Sequence, residues 1–322
     1  MKFDAIVGNP PYQIITAKKD TDNGQLRTKS IFHYFQIISD SLGQYVSLIY
    51  PGGRWIHRSG KGLAEFGLNQ INDPHLERLI FYPDANELFN EVGIADGLSI
   101  VLKNMTKDTN HFQYEYINNG IHQTIDMPSP GENFIPLNPS NLIIVKKIEQ
   151  NTTKHNFSYL NESVLSQKLF SIESDFVQMN PDKVREYKEG DYFDPQKEIK
   201  LFTNDKAGKS GRAKWYVANK DVITTGLESL NKWKVVVSSA NAGGQKRSNQ
   251  IQILDNHSAF GRARVALKVF DTEKEAQNFF VYAKSNFIRF AFLMTEESLT
   301  SLAKLVPDIK NYKDDNGVID FA

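Results

Sequence analysis

The stretch from Asp4 to Gln13, "DAIVGNPPYQ", holds the residues whose types and spacing are best suited to chemistry. Its first four residues predict a β-strand, and two consecutive prolines end that strand because neither can donate a ladder hydrogen bond. The turn that follows is therefore rigid, and it displays the amide of Asn9, the backbone carbonyl of Pro10 and the ring of Tyr12. Polar groups fixed beside an aromatic ring could hold a planar group that carries N–H donors.

The elements that must position this turn alternate between strand and helix. Apolar residues at helical spacing predict helices within 30–42 and 60–73, and apolar runs predict strands within 44–50, 75–82 and 97–104. This order is typical of a parallel sheet with crossover helices, in which sites form at the carboxyl ends of the strands. The Asn-Pro-Pro-Tyr turn lies at such an end.

The pattern changes after about residue 106, and a length of 322 residues favours two domains. An alternating segment and a Pro-rich loop lead to a short helix within 141–150, beyond which scattered strands and basic loops predict a separate α+β domain. The expected strands of that domain are "EIKLFT", "AKWYVA", "WKVVVSS" and "RVALKVF", and the expected closing element is one long helical run over 273–294.

Composition excludes several classes of protein. The chain has no cysteine, so disulfides, thiolate metal sites and cysteine nucleophiles are excluded, and a reducing cytoplasm is the natural location. No His-rich metal spacing occurs, so we expect no metal. No segment approaches the roughly 18 apolar residues of a membrane span, and the first residues do not form a signal peptide.

The formal net charge of zero hides an uneven distribution. Residues 201–290 carry 15 Lys and Arg against 7 Asp and Glu, whereas the rest of the chain is mildly acidic. A basic block of this kind is the electrostatic footprint of a surface that binds a polyanion. A lysine-rich surface that only contacts solvent is the alternative.

The Asn9 turn and two later segments resemble the motifs of S-adenosylmethionine-dependent amino-group methyltransferases, particularly the adenine-N6 DNA methyltransferases of restriction-modification systems. Asp4 to Tyr12 match the catalytic motif and its strand, "YPGGRW" matches the strand-end segment that follows, and "ELFNEVGIADGLSIVLK" is similar to the motif whose aromatic residue faces the target base. The resemblance implies an α/β fold: the C-terminal part of a Rossmann-like methyltransferase domain with a connecting segment over 1–150, followed by an α+β DNA target-recognition domain over 151–322.

The resemblance also implies roles for the motif residues. Asn9, Pro10, Pro11 and Tyr12 are the expected catalytic residues, since the oxygens of Asn9 and Pro10 can accept both N–H bonds of an adenine amino group and so make its nitrogen a better nucleophile. A base within a duplex cannot reach such a pocket, so we expect it to be flipped out and stacked between Tyr12 and Phe89. Phe89 as a core or loop-anchoring residue is the alternative.

The expected cofactor is S-adenosylmethionine, bound in the full assembly. In this family the Gly-rich loop that holds the cofactor precedes the catalytic motif, and only eight residues precede Asn9 here. "PGGRW", "GKG" and "NAGGQK" do not have the context of such a loop. We therefore expect the chain to be the C-terminal part of a methyltransferase, whose partners are duplex DNA and an upstream methyltransferase segment or a restriction subunit, with little cofactor binding by this chain alone.

The basic block supplies the expected DNA contacts, most of them to phosphates. The loops "DKAGKSGRAKW" and "NAGGQKRSNQ" are expected nearest the groove, and the second combines Arg, Asn and Gln, which suit bidentate base reading. The candidate contacts are Lys206, Lys209, Arg212, Lys214, Lys246, Arg247, Arg262, Arg264, Lys284 and Arg289.

Three other interpretations remain open at this point. A nuclease centre can be drawn through Pro181, Asp182, Glu198 and Lys200, because carboxylates and a lysine can hold a catalytic metal. Similar Asn-Pro-Pro-Tyr motifs occur in enzymes that methylate a protein glutamine or RNA bases. The chain could also be a DNA-binding specificity module without activity of its own.

Overall fold

A computed structural model describes residues 3–18, 26–58, 62–91, 93–94, 96–133, 135–208, 210–239, 251–294, 305–308 and 312–313. The chain divides into two compact units, Met1–Val145 (unit 1) and Lys146–Ala322 (unit 2). Among the helices of these residues, none has the length and apolar character required to cross a membrane.

Unit 1 is built on one six-stranded sheet, a separate hairpin and three helices, and a fourth helix crosses into unit 2. The strands are β1 (Phe3–Gly8), β2 (Gln13–Lys18), β3 (Leu26–Ser30), β4 (Gly43–Pro51), β5 (Leu76–Tyr82), β6 (Leu98–Asn104), β7 (His111–Asn118) and β8 (Ile121–Pro128). The helices are α1 (Phe32–Leu42), α2 (Gly53–Ile56), α3 (Ala64–Ile71) and α4 (Leu142–Lys154).

The large sheet has the strand order β1-β4-β6-β5-β7-β8, and β2 pairs with β3 in the hairpin. β1 is parallel to β4, and β5 is parallel to β7. The expectation of a parallel sheet is wrong for one central strand, because β6 lies between β4 and β5 and is antiparallel to both. Strands β1, β4, β5 and β7 nevertheless point the same way, so their carboxyl ends share one edge of the sheet.

The core of unit 1 lies on one face of this sheet. Val46, Leu48 and Tyr50 alternate along β4 and are fully buried against helices α1 to α3. The ring of Tyr50 stacks on Phe32 with 4.8 Å between centroids, and its hydroxyl donates to Gln36 at 2.9 Å. These two contacts hold α1 against the inner face of the sheet, the face that carries the core. They lie on β4, next to the strand that leads into the Asn9 turn.

Unit 2 contains two larger sheets and a small two-stranded one. Its strands are β9 (Ser158–Tyr159), β10 (Val184–Glu186), β11 (Glu198–Asn204), β12 (Ala213–Asn219), β13 (Trp233–Ser238), β14 (Gln252–Leu254), β15 (Ser258–Phe260), β16 (Arg264–Phe270) and β17 (Pro307–Asp308). The sheets have the orders β10-β12-β11-β15, β14-β13-β16 and β17-β9. Its helices are α5 (Phe176–Met179), α6 (Leu227–Leu230), α7 (Glu273–Ala283) and α8 (Asn286–Met294).

The long helix expected over 273–294 is two helices. α7 begins with a capping box in which Thr272 and Glu275 satisfy each other's backbone N–H groups. It ends before Lys284, and the hydroxyl of Ser285 accepts a hydrogen bond from the N–H of Ile288 at 3.3 Å. A serine that caps the next helix explains the break, because Ser competes with the backbone for helical hydrogen bonds.

Candidate functional site

The Asn9 turn lies directly after β1, at the edge of the sheet where the carboxyl ends of the parallel strands meet. Its far end is held by a hydrogen bond of 3.0 Å from the N–H of Ile31 to the carbonyl of Tyr12, immediately before α1. The ring of Tyr12 packs against the unit 1 core. Asn9 is exposed, so the turn presents its amide outward from a fixed base.

A pocket of about 800 Å³ opens beside this turn, and we call it the motif pocket. The four residues Asn9 to Tyr12 form one side of it, and the segment after β5 forms the other. The lining residues are Asn9, Pro10, Pro11, Tyr12, Leu88, Phe89, Asn90 and Ile94. The structure therefore brings Phe89 to the same pocket as the turn, although nearly eighty residues separate them.

The direction of the strands explains why Phe89 reaches the turn. The segment 83–97 runs from the carboxyl end of β5 to the amino end of antiparallel β6, so it stays at the edge where β1 ends. Asp84 accepts from the N–H of Asn86 at 2.9 Å, and the N–H of Phe89 donates to Ala85 at 2.9 Å. The hydrogen bonds from Asn86 hold the pKa of the exposed Asp84 carboxyl below its usual value.

The "PGG" segment after β4 anchors the other end of the 83–97 segment. The N–H of Gly53 donates to the carbonyl of Asp96 at 2.7 Å, and the Arg54 guanidinium pairs with the Asp96 carboxylate at 2.8 Å. A Cβ at Gly53 would lie 2.9 Å from the Asp96 carbonyl, which explains glycine at this position. A second cavity of about 230 Å³ lies here and shares Tyr12 and Ile94 with the motif pocket.

The electrostatics of the motif pocket are those of neutral groups. Burial raises the pKa of the Tyr12 hydroxyl, and a hydrogen bond with the Asn9 side chain opposes that shift. Tyr12 is therefore uncharged at neutral pH and can offer its ring as an apolar surface. No residue that lines the pocket carries a charge.

The sequence did not single out three of the residues that line the motif pocket, Leu88, Asn90 and Ile94. These three residues lie close to Phe89 in the loop between two predicted strands. This proximity in sequence is the signal that could have identified them. The ion pair of Arg54 with Asp96 was not foreseen either, because nothing in the sequence indicates which loops meet.

Five of the predicted DNA contacts of unit 2 fall into two groups. Lys206, Arg212 and Lys214 are exposed on or beside the hairpin loop 205–212 that joins β11 to β12. In that hairpin the N–H of Arg212 donates to the carboxylate of Asp205 at 2.8 Å, which lowers the pKa of Asp205. Lys284 and Arg289 are exposed at the end of α7 and on α8, away from the hairpin in the chain.

The remaining basic loops begin at the same end of the sheets as the hairpin. β15 runs parallel to β11, and the N–H of Gly261 donates to the carbonyl of Phe202 at 3.0 Å. Arg262 therefore follows beside the hairpin, and the N–H of Ser239 donates to Ala263 at 2.8 Å. The loop after Ser239, with Lys246 and Arg247, lies outside the described residues, as does Lys209.

Several of these cations already have partners. Arg262 pairs with Glu173 at 2.6 Å, and Lys214 pairs with Glu186 at 3.3 Å. Arg264 is buried, with its guanidinium 4.8 Å from the centre of the Phe202 ring, and burial lowers its pKa. In this position Arg264 is a core residue, and it would have to move to reach DNA.

Two residues of the conceivable nuclease centre, Glu198 and Lys200, make other contacts. The carboxylate of Glu198 accepts from Arg185 at 3.1 Å, and Lys200 pairs with Asp255 at 2.5 Å. Within the described ranges, no three His, Asp or Glu side chains are grouped so as to hold a metal ion. The contacts of Glu198 and Lys200 do not favour a nuclease.

Several solved structures are distantly similar to the chain. The type IIL restriction-modification enzyme MmeI, solved in complex with DNA, is 8% identical, with a TM-score of 0.47 over 93% of this chain and 44% of that one. The type IIG restriction endonuclease BpuSI is 11% identical, with a TM-score of 0.29 over 88% of this chain and 42% of that one. A type I methyltransferase subunit from Streptococcus thermophilus is 14% identical, with a TM-score of 0.26 over 36% and 26%. The chain spans less than half the length of each.

Comparison of sequences gives a more local result. No curated protein matches the chain. Residues 1–89, which contain β1, the Asn9 turn and the segment up to Phe89, match the family model described as the Eco57I restriction-modification methylase. The part of the chain that forms the motif pocket is thus similar to restriction-modification methylases.

Proposed function

We propose that this chain is the catalytic and DNA-recognition portion of an adenine-N6 DNA methyltransferase of a restriction-modification system. The observation that carries the proposal is the motif pocket, where the Asn9 turn and Phe89 face the same space at the carboxyl ends of parallel strands. A volume of about 800 Å³ is within the range of small-ligand sites and admits a flipped purine base. The match of residues 1–89 to a restriction-modification methylase model supports the same assignment.

The pocket residues have distinct roles in this proposal. The side-chain oxygen of Asn9 and the carbonyl of Pro10 accept the two N–H bonds of the adenine amino group, which withdraws the nitrogen lone pair from the ring and directs it outward. Pro10 and Pro11 hold both acceptors still, so no reorganisation is needed at the moment of reaction. Tyr12 and Phe89 stack on the base and exclude water from it.

The methyl donor of such a reaction is S-adenosylmethionine, and the motif pocket does not fit all of that molecule. Its eight lining residues include no carboxylate for the ribose hydroxyls or the ammonium group of the cofactor. The nearest carboxylate of the adjoining cavity, Asp96, is paired with Arg54. These residues would hold the acceptor base, and the polar parts of the cofactor require residues other than these.

DNA recognition by unit 2 is the second part of the proposal. It is supported by the hairpin cations Lys206 and Arg212, the neighbouring Arg262, and the start of the basic loop at Ser239, which all lie at one end of the sheets. Such a cluster would neutralise several phosphates and position the duplex. A DNA-binding module without activity would share this cluster, and the motif pocket is the observation that favours an enzyme.

Transfer of a labelled methyl group tests the proposal. The chain is assayed with duplex DNA, RNA and protein substrates, alone and with the polypeptide encoded directly upstream of its reading frame, and the modified nucleoside is identified by chromatography. We expect N6-methyladenine in DNA. A methylated protein glutamine or RNA base would contradict the DNA assignment, and no transfer to any substrate in either condition would favour the non-catalytic module.

A further inference from the structure

The β2–β3 hairpin of unit 1 is separate from the large sheet, and we call it the motif hairpin. Neither of its strands pairs with any other described strand. The side chains described at 13–16 and 28–29 are exposed, with Ile14 at 53% and Ile15 at 58% exposure. Since consecutive residues of a strand point to opposite faces, both faces of the hairpin are open. An isolated two-stranded hairpin is only marginally stable in water, so a binding partner would stabilise it.

The motif hairpin starts at the motif pocket. The N–H of Ile31 donates to the carbonyl of Tyr12 at 3.0 Å, directly before the pairing of Gln13 with Ser30. β2 therefore begins next to a residue that lines the pocket, and its six residues extend for about 20 Å. A flipped nucleotide stays covalently attached to its strand. A duplex with one base in the pocket must therefore pass beside the start of this hairpin.

The motif hairpin also holds much of the positive charge of unit 1. Residues 13–30 contain four Lys and Arg and two Asp, whereas residues 1–145 as a whole contain 11 Lys and Arg and 15 Asp and Glu. A short positive segment in an acidic unit is the pattern expected where a polyanion is bound locally. This segment lies outside the basic block of unit 2.

Lys29 is the described cation of unit 1 that remains available for a phosphate. It is exposed, has no carboxylate partner among the described residues, and places its ammonium 5.8 Å from the centre of the Tyr34 ring. The other cations described in unit 1 donate to carboxylates or backbone carbonyls of the same unit: Arg54, Arg58, Arg78, Lys103 and Lys107.

The register puts Lys29 directly opposite Ile14, so the two side chains share a face of the hairpin. Lysine is depleted in protein–protein interfaces, whereas Lys and Arg supply most contacts to DNA phosphates. Two-stranded ribbons are also among the elements that lie in the grooves of DNA. The combination favours a duplex over a protein as the partner of this face.

We propose that the motif hairpin is a DNA-contact element of unit 1, separate from the cations of unit 2. It runs along the duplex next to the flipped nucleotide, with Lys29 at a phosphate and Ile14 against the adjoining sugar. The proposal rests on the proposed function, because a base flipped into the motif pocket is what brings the duplex to this hairpin.

Photo-crosslinking tests the proposal without any measurement of methyl transfer. The chain has no cysteine, so Ile14→Cys supplies a single thiol for a photo-crosslinker. The probe is a duplex of mixed sequence, irradiated with the full chain. We expect cross-links to DNA from position 14. Ile121→Cys is the matched control, since Ile121 is 57% exposed but lies on β8, and it should give none.

The salt dependence of binding is the second measurement. Lys29→Glu should weaken binding about 3-fold or more and reduce the magnitude of the log-log salt slope by about one, as expected when one phosphate contact is lost. Lys147→Glu, the same reversal at an exposed lysine of α4, should leave affinity and slope unchanged.

The proposal requires both results. It is overturned if position 14 gives no cross-link, if position 121 cross-links equally well, or if Lys29→Glu behaves like Lys147→Glu. Methyl transfer to DNA by a chain that fails these tests would leave the proposed function standing without the motif hairpin. Cross-links and slopes as expected from a chain that transfers no methyl group would keep the DNA contact and contradict the proposed function.

Discussion

The two units differ in what they leave at their surfaces. In unit 1, large apolar side chains are exposed together on β1, α1 and the start of β4, next to the motif pocket. In unit 2, the exposed apolar side chains that the structure describes, such as Met179, Leu227 and Val281, lie on separate elements. The exposed apolar side chains of unit 1 are therefore clustered beside the motif pocket, whereas those described in unit 2 are scattered.

The units also differ in how they hold buried cations. Lys103 of unit 1 is fully buried and pairs with the carboxylates of Asp40 and Asp73 at 2.8 and 2.5 Å. Lys234 of unit 2 is equally buried, but its ammonium donates to backbone carbonyls, of Leu230 at 3.0 Å and Lys232 at 2.6 Å. The charge excess of residues 201–290 thus overstates the positive surface, because part of it lies inside.

The largest expected effect concerns the motif pocket. In the assembly that transfers methyl groups, Asn9→Ala should lower turnover by about 10²-fold or more, because one preorganised acceptor is lost from the transition state. Asn90→Ala, a change in the same pocket outside the turn, is the matched control and should have a much smaller effect. Single-turnover rates check this, and equal losses for both variants would show that Asn9 only lines the pocket.

The buried lysine of unit 1 gives the next largest effect. Lys103→Met should lower the free energy of unfolding by about 3 kcal/mol, because Asp40 and Asp73 lose their partner in a partly buried site. Lys234→Met should be much milder at pH 7, since only carbonyls lose a donor. Urea unfolding measures both, and a Lys234→Met variant that unfolds as readily as Lys103→Met would contradict the contrast between the units.

Stacking on the target base follows in size. Phe89→Ala should cost about 1–3 kcal/mol in binding of a flipped base, because one of its two aromatic surfaces is removed. Fluorescence of 2-aminopurine at the target position reports the loss. If base flipping and activity survive in a folded Phe89→Ala variant, Phe89 is a loop anchor and not a base contact.

Between about pH 7 and 10, Lys234 of unit 2 should make the largest contribution to the pH dependence of stability. Burial lowers the pKa of Lys234 from its ordinary value of 10.5 to about 7, so between about pH 7 and 10 the unfolded chain binds more protons than the folded one. Stability should therefore rise with pH across that window, by on the order of 1 kcal/mol per pH unit. Above pH 10 the raised pKa of buried Tyr282 acts in the opposite direction.

Urea unfolding at several pH values measures this slope. Lys234→Met should flatten it, since the group that titrates is removed. An unchanged slope in that variant would assign the pH dependence to other groups.

The smallest expected effect concerns DNA binding. Binding should weaken steeply with salt, with a log-log slope of about −0.9 per phosphate neutralised, and Arg212→Glu should reduce the magnitude of that slope by about one. Lys147→Glu is the control, because Lys147 is an exposed lysine on α4, outside the hairpin. Equal effects of both reversals would mean that the hairpin does not contact DNA.

The sequence predicted the strands and helices around the Asn9 turn because their apolar periodicity is strong. It did not predict the direction of β6, since an apolar run reads the same in either direction and the pairing partners of Ile100 are remote in sequence. It predicted one closing helix because a single serine between two apolar helical runs does not show by itself that a new helix begins there; the capping role of Ser285 depends on its hydrogen bond from Ile288. Strand β8 was missed because its burial is slight.

The residues of the candidate site were predicted from the sequence only in part. Asn9 to Tyr12 form a local motif, and Phe89 was expected near them because its segment resembles the motif whose aromatic residue faces the target base. For unit 2, the sequence showed which residues are positively charged but not what surrounds each of them. Whether each one faces solvent, Glu173 or the Phe202 ring depends on tertiary contacts that no spacing rule encodes.

The segment 83–97 is held at both ends by hydrogen bonds and, at its far end, by an ion pair. Asp84 and Ala85 hold its start, and Gly53 and Arg54 hold its end. Leu88, Phe89, Asn90 and Ile94 lie between these anchors and supply one wall of the pocket. Because these anchors hold the ends of the segment, substitutions at Leu88, Asn90 or Ile94 should change the wall of the pocket while β5 and β6 keep their contacts.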